Sequence, residues 1–354
     1  MPAHLPCPDP DRQGCQGPDR VGASAELTRR TLLGTGFAAA FLPCGGETTL
    51  ARGTGGVARV PGVIRSWGSA ADRRLIGMLQ TGFAEHRAGI AFETTLHGPE
   101  STLAGVYTGV ADLAFMAREL REPMERMAFE WATLSAPFSI EFANGGLVAD
   151  RPAAQLAVFV HNSNPIAPIS LAQLDAVLGT ERRRGGEPVA RWRDLGATGT
   201  LRDSHVRVYG PKVDSIPALY IRKAVMKNSP KWTPHYRECA DGDEVVAALS
   251  HDPSGIAYAP MRLRTPAVRA VPLSAGAGNP PCHLDARSVV SGAYPLTRKL
   301  SVILRRPVGQ PIAPPVRAFL SFVLSPEGQA IIASEGSYLP LNVRDAAGQI
   351  ERLA

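Results

Sequence analysis

The stretch Gly109-Val-Ala-Asp-Leu-Ala-Phe-Met-Ala-Arg-Glu-Leu120 decides the fold. Val110 to Met116 is almost wholly apolar, the pattern of a parallel strand covered on both faces. The apolar run ends at Ala117, and Arg118-Glu119 follow at once. In open α/β sheets, ligands bind beyond the carboxyl ends of the strands. Arg118 therefore either presents a fixed positive charge to an anion or is a solvated loop residue. The stretch alone leaves both readings open.

Upstream, Pro61 to Trp67 reads as a strand that ends in Gly68-Ser69. A helix follows, with Leu75, Ile76, Leu79 and Phe83 at helical spacing on its buried face. Ser69 is its expected N-cap. Free backbone N–H groups at such a strand-to-helix turn suit an anion, so Gly68 and Ser69 are candidate ligand contacts as well as cap residues. Ile90 to Leu96 is a second strand, and His97 to Thr102 turns into a helix from Leu103 to Thr108. Ser101 or Thr102 either offers a hydroxyl to the same cleft or caps. The order is β-α-β-α-β, for which right-handed crossovers give a parallel sheet.

Downstream, Gln155 to His161 is a strand, and Asn162 to Pro168 is a plausible hinge. Ser170-Leu-Ala-Gln173 is a capping box opening a helix through Leu178. Val206 to Gly210 is a strand followed by the loop Pro211-Lys-Val-Asp-Ser215 and a helix through Met226. Ser215 as N-cap and Pro217 in the first turn fit that helix start. Ser215 is therefore a candidate ligand contact, as Ser69 is, and Lys212 and Asp214 share its loop. Ile256 to Tyr258 and Leu300 to Leu304 are strands. Pro314 to Leu324 is an amphipathic helix, and Ser325-Pro326-Glu327 begins another that ends at Gly336.

The 354 residues carry 38 Lys+Arg and 32 Asp+Glu, a net charge of +6. This suits an anionic ligand or surface. Aromatics are 6%, and no run of five or more basic residues occurs, which argues against nucleic acid. Residues 1–50 read as a polar leader followed by an export signal: Arg29-Arg30, Leu32-Leu33 and an apolar run to Leu42, in the manner of a twin-arginine signal. The run is too short to span a bilayer. Pro43 before Cys44 fits a lipid anchor badly. Residues 51–60 are a Gly-rich linker. Without the first fifty residues, which hold four Arg and five acidic residues, the net charge becomes +7. Cys239 and Cys282 then remain, and an oxidising compartment permits a disulfide between them. Free thiols, or a metal site with His235 and His283, are the alternatives.

Taken in order, several segments resemble the substrate-binding proteins of phosphate-type ABC transporters, over about residues 61 to 341. They are Gly68-Ser69 before a long helix, Gly109-Val-Ala-Asp112 with Ala117-Arg118-Glu119-Leu120, Ser163-Asn-Pro165 with Ile169 to Leu174, Gly255-Ile-Ala-Tyr258, and Tyr294-Pro-Leu-Thr-Arg298. Phe319 to Gln329 with Gly336-Ser-Tyr-Leu-Pro340 completes the set. The resemblance implies a type II periplasmic binding protein fold, with two α/β lobes crossed twice by the chain and a ligand cleft between them. The lobes would be 60–162 plus 280–354, and 163–279. Each would hold a mixed or mostly parallel sheet flanked by helices.

That family holds phosphate with Ser and Thr hydroxyls, helix N-terminal amides, an Arg, and an Asp that accepts the phosphate proton. Ser69 and Ser215 match the first-lobe turn and the second-lobe hydroxyl. Three departures stand out. The second-lobe loop has lost its Arg and keeps only Ser215 of Gly-Ser-Gly-Thr, with Pro217 in place of the Thr, and Lys212 replaces a bidentate Arg with a point charge. Gly98-Pro99 stands where Gly-Ser is usual, and Ala117 where a Ser often precedes the Arg. The implied protein is a periplasmic, monomeric carrier. It would hand phosphate or a related small oxyanion to an ABC permease of the inner membrane, and it needs no metal or cofactor. An orphan binding or sensor module of the same fold is the alternative. An exported hydrolase is the third class, and no Gly-x-Ser-x-Gly, His-Glu-x-x-His or Gly-x-x-x-x-Gly-Lys-Ser/Thr pattern supports it.

Overall fold

The computed structural model describes residues 61–354 apart from Ala88 and Ala277, so the expected export signal, Cys44 and the expected linker at 51–60 lie outside the described residues. The first part of the chain runs β1 (Val63–Ser69), α1 (Arg73–His86), β2 (Ala91–His97), α2 (Thr102–Tyr107), β3 (Leu113–Met116), α3 (Met124–Thr133) and β4 (Phe138–Asn144). Next come β5 (Leu156–His161), β6 (Ile169–Ser170), α4 (Leu171–Leu178), β7 (Arg207–Pro211), α5 (Ile216–Ala224), β8 (Tyr236–Cys239), α6 (Gly242–Ser250), β9 (Gly255–Pro260), β10 (Val268–Ala270) and β11 (Leu273–Ser274). The chain closes with α7 (Ala286–Val290), β12 (Lys299–Leu304), α8 (Pro314–Val323), α9 (Pro326–Glu335) and α10 (Val343–Glu351).

Two five-stranded sheets result, ordered β2-β1-β3-β12-β4 and β10-β5-β9-β7-β8. In the first, β1 is parallel to β2 and β3, and β12 is antiparallel to β3 and β4. In the second, β7 is parallel to β8 and β9, while β5 is antiparallel to β9 and β10. The apolar run of β3 has a direct packing reason. Leu113 and Phe115 enter the core shared with α1, α8 and α9, whereas Ala114 and Met116 enter a separate core with Leu103, Val106 and Phe129 from α2 and α3. Successive side chains point to opposite faces, and here both faces are covered. Phe319 of α8 anchors the larger core, with ring centroids 4.9 Å from Phe92 and 5.3 Å from Phe83 in edge-to-face packing.

The chain leaves the first sheet after β4 and returns just before β12. Buried Gln155 pins the two crossings together. Its Nε2 donates to the carbonyls of Gly145 (3.1 Å) and Arg298 (2.9 Å), and its Oε1 accepts the Arg298 amide (2.8 Å). The crossings fall elsewhere than the sequence reading set them. β5, grouped there with residues 60–162, is a strand of the second sheet because it pairs with β9 and β10. Leu284, Val289, Tyr294 and Leu296, grouped with the C-terminal part, pack in the second sheet's core.

Cys239 and Cys282 are free thiols rather than a disulfide. Cys239 ends β8, at one edge of the second sheet. Cys282 pairs its backbone with Leu273 of β11, which lies in the separate two-stranded sheet with β6. Among the described residues, no group of three or more His, Cys, Asp or Glu is placed to hold a metal ion, and no helix is long and apolar enough to cross a membrane.

One polar cluster ties β7 to the α6–β9 turn. The Asp252 carboxylate accepts from Arg207 Nε (2.6 Å), Tyr209 Oη (2.9 Å) and the Ser254 amide (3.0 Å). Burial pushes its pKa up, but the hydrogen bonds from Arg207 and Tyr209 outweigh burial and leave it below the ordinary Asp value. A depressed folded pKa means the contribution is present above the unfolded value, about 3.9, and is lost as pH falls through the folded value. Asp252→Asn is therefore expected to cost about 1–2 kcal/mol at pH 7, discounted because Arg207 is part-exposed. It should also flatten the fall in stability below about pH 4. Urea unfolding at pH 7 and pH 3 measures both, and an unchanged acid slope would count against the assignment.

Candidate ligand-binding cleft

The carboxyl ends of the parallel strands point to one place. Ser69 ends β1, His97 ends β2 in register with it, and Arg118 stands two residues beyond β3. In the second sheet, Lys212 to Ser215 follow β7 and lead into α5. Arg121 joins the two sets of loops. Its Nη2 donates to Glu100 Oε1 (3.3 Å), and its Nη1 donates to the Asp214 carbonyl (3.4 Å). Lys223 of α5 reaches Glu122 at 3.5 Å across the same junction.

Arg118 is 3% exposed, so it is no solvated loop residue. It is also fully engaged by the protein's own oxygens. Nη2 and Nη1 grip Glu125 Oε1 (2.6 Å) and Oε2 (2.9 Å) in a two-pronged pair. Nη1 further donates to the Glu119 carbonyl (2.9 Å), Nη2 to Glu100 Oε2 (3.5 Å), and Nε to the Pro99 carbonyl (3.2 Å). Burial alone would lower the Arg118 pKa, yet Glu125 more than reverses this and holds it above its ordinary value. Burial raises the Glu125 carboxyl, and the hydrogen bonds from Arg118 and the Arg121 amide bring it below its ordinary value.

The other sequence candidates divide. Ser69 is buried and caps a single 3-10 turn over Ala70–Asp72, accepting from the Ala71 amide at 3.3 Å, before α1 begins. Asp72, next in that turn, is buried too, and burial raises its pKa against the pull of the Tyr338 hydroxyl (2.5 Å). Gly68 faces the core, where an added Cβ would meet Ile76 Cδ1 at 2.6 Å, so its role is close packing. Ser101 and Thr102 both return their hydroxyls to the Gly98 carbonyl and neither caps α2. Ser215 does cap α5, its Oγ accepting from the Ala218 amide at 3.4 Å. Lys212 and Asp214 are exposed in the loop before it. Asp112 is a structural acid that binds the Arg65 guanidinium and amide.

A cavity of about 470 Å³ lies beside this junction and takes only Arg118 from the sequence candidates. Glu119, Glu122, Tyr220, Lys223 and Lys299 also line it. Lys299 is held by Glu141 and Asp345, each at 3.0 Å, and Arg126 by Glu130 at 2.8 Å. Behind the cavity, buried Arg298 grips both oxygens of Glu119 (2.8 and 2.6 Å), donates to the Ala154 carbonyl and lies over the Tyr220 ring at 5.3 Å. Glu119 follows Arg118 and Arg298 ends Tyr-Pro-Leu-Thr-Arg, so both were in view in the sequence without a role. Glu125 carried no signal, because its meeting with Arg118 depends on how the chain turns between them.

The comparisons bear on this geometry. No protein-family model matches the chain. The phosphate-binding protein PstS of Pseudomonas aeruginosa PAO1 is 27% identical over 296 residues, 83% of this chain and 88% of that protein. Among solved structures, PstS of Borrelia burgdorferi aligns with a TM-score of 0.54 at 13% identity, covering 79% of this chain and all but 1% of its own. The fold is that of the two-lobed type II periplasmic binding proteins. An ABC-type phosphate transport receptor from Vibrio cholerae aligns with a TM-score of 0.49 at 15% identity, over 78% of this chain and 99% of that one. In this binding-protein fold, the junction spanned by Arg121 lies where loops beyond the strand ends of the two sheets meet.

Proposed function

We propose that the chain is an exported solute-binding protein that captures phosphate or a related small oxyanion for an ABC permease, and that it binds rather than turns over its ligand. The observation that carries this reading is the 27% identity to the Pseudomonas aeruginosa phosphate-binding protein, sustained over 83% of the chain. The meeting of the Arg118–Arg121 loop with the Lys212–Ser215 loop supports it. Ser69, Ser101, Thr102, Arg118, Lys212 and Ser215 are the proposed contacts, set between about 61–154 with 297–354 and the intervening segment. On this reading the protein is a periplasmic monomer, exported by the Arg29-Arg30 signal.

A second reading, a sensor or orphan module for another anion, is favoured by one observation. Every N–H of Arg118 already has an acceptor within the chain. Isothermal titration with phosphate, and with sulfate, molybdate and a dicarboxylate as competitors, separates the two. Under the phosphate reading, phosphate binds with micromolar affinity and Arg118→Ala weakens it by about a hundredfold, as loss of a charged two-pronged contact does. Binding of a different anion alone would favour the second reading. No response to any of the four would remove the first.

A further inference from the structure

We infer that Glu125 is a tethered counter-anion that occupies the anion seat of Arg118, so that a free oxyanion enters only by displacing it. The inference deepens the oxyanion reading and rests on it only for the identity of the anion. A guanidinium offers five N–H groups in a rigid planar fork that matches a carboxylate or a phosphate edge equally well. Here the outer edge of that fork, Nη1 and Nη2, carries the Glu125 carboxylate at 2.9 and 2.6 Å. The remaining donors are held by backbone carbonyls and by Glu100, whose side chain is well exposed.

Glu125 is suited to the place. It stands in the first turn of α3, where negative charge is favoured by the helix dipole. Its Oε2 also accepts the Arg121 amide at 2.8 Å. The carboxylate is thus held from two directions, and it presents to Arg118 the same pair of oxygens that an incoming oxyanion would present. Arg121 is bound to Glu125 through its amide and to the Asp214 carbonyl through its side chain. Displacing Glu125 therefore loosens the link between the loops of the two sheets. The seat is coupled to their contact through one residue.

The test uses the full chain with inorganic phosphate and formate as probes, read by calorimetric titration and by the shift in melting temperature. Glu125→Gln keeps the shape and removes the charge, and Glu125→Ala opens the seat. Phosphate should bind the Gln variant about tenfold more tightly than the wild type, the change expected when a neutral amide replaces a competing charge. Formate should raise the melting temperature of Glu125→Ala, and of neither the wild type nor the double variant Glu125→Ala with Arg118→Ala. Formate rescue without phosphate binding in any variant would keep the tethered anion and remove the phosphate reading. Phosphate affinity equal to or below that of wild type in the Gln variant, with no formate rescue in the Ala variant, would overturn the inference.

Discussion

Arg298→Met is expected to destabilise the fold by about 3 kcal/mol, because it leaves the mostly buried Glu119 carboxylate without its partner. Arg298 is 1% exposed, and its guanidinium is the partner of both Glu119 oxygens. Burial works against the charge of Arg298, and Glu119 more than compensates, holding its pKa above the ordinary value. A methionine fills the stem's volume but offers nothing to Glu119 or to the Ala154 carbonyl. Replacing both partners by apolar groups is a different case, since a buried ion pair exchanged whole for packed hydrocarbon is often neutral. Arg298→Met with Glu119→Leu should therefore recover most of the loss. Urea unfolding of the two single variants and the double closes the cycle. A single-variant loss below about 1 kcal/mol would mean that water reaches Glu119 freely and that the pair matters little.

Gly145→Ala should cost about 3 kcal/mol, at the upper end of what overpacking usually does. A Cβ built there lies 1.9 Å from the Ala153 carbonyl oxygen, and that neighbour is backbone, which has no rotamer to swing away. Gly145 opens the first crossing between the sheets, where its amide donates to the Arg298 carbonyl at 2.9 Å. The clash thus falls inside the first crossing, between its two ends and beside its hydrogen bond to the second. Gly77 is the matched control. It sits within α1 with nothing inside 4 Å of its missing Cβ, so Gly77→Ala should gain about 0.5–1 kcal/mol from helix propensity. Equal effects at the two positions, measured by urea unfolding, would rule out the close approach as the cause.

Most elements were legible because short-range chemistry decides them. Leu75, Ile76, Leu79 and Phe83 repeat at helical spacing and are the buried face of α1. Ser170 with Gln173, Ser215 and Ser325 cap the helices they precede. α3 was not legible in this way: Met124, Met127 and Trp131 are exposed while Phe129 and Thr133 are buried, so hydrophobicity does not mark the side that faces the core.

The sequence by itself determined most of the strands and helices, and that Ser69 and Arg118 follow the carboxyl ends of neighbouring parallel strands. Those outcomes follow from hydrophobic period, caps and turns, all of which act over a few residues. Only the tertiary structure decided which sheet β5 joins, that Cys239 and Cys282 stay unpaired, and that Glu125 takes the hand of Arg118. Those outcomes rest on strand order and on side chains brought together by distant turns. A pattern read along the chain records what each residue prefers to bury, whereas the partner it meets is set by how the whole chain closes.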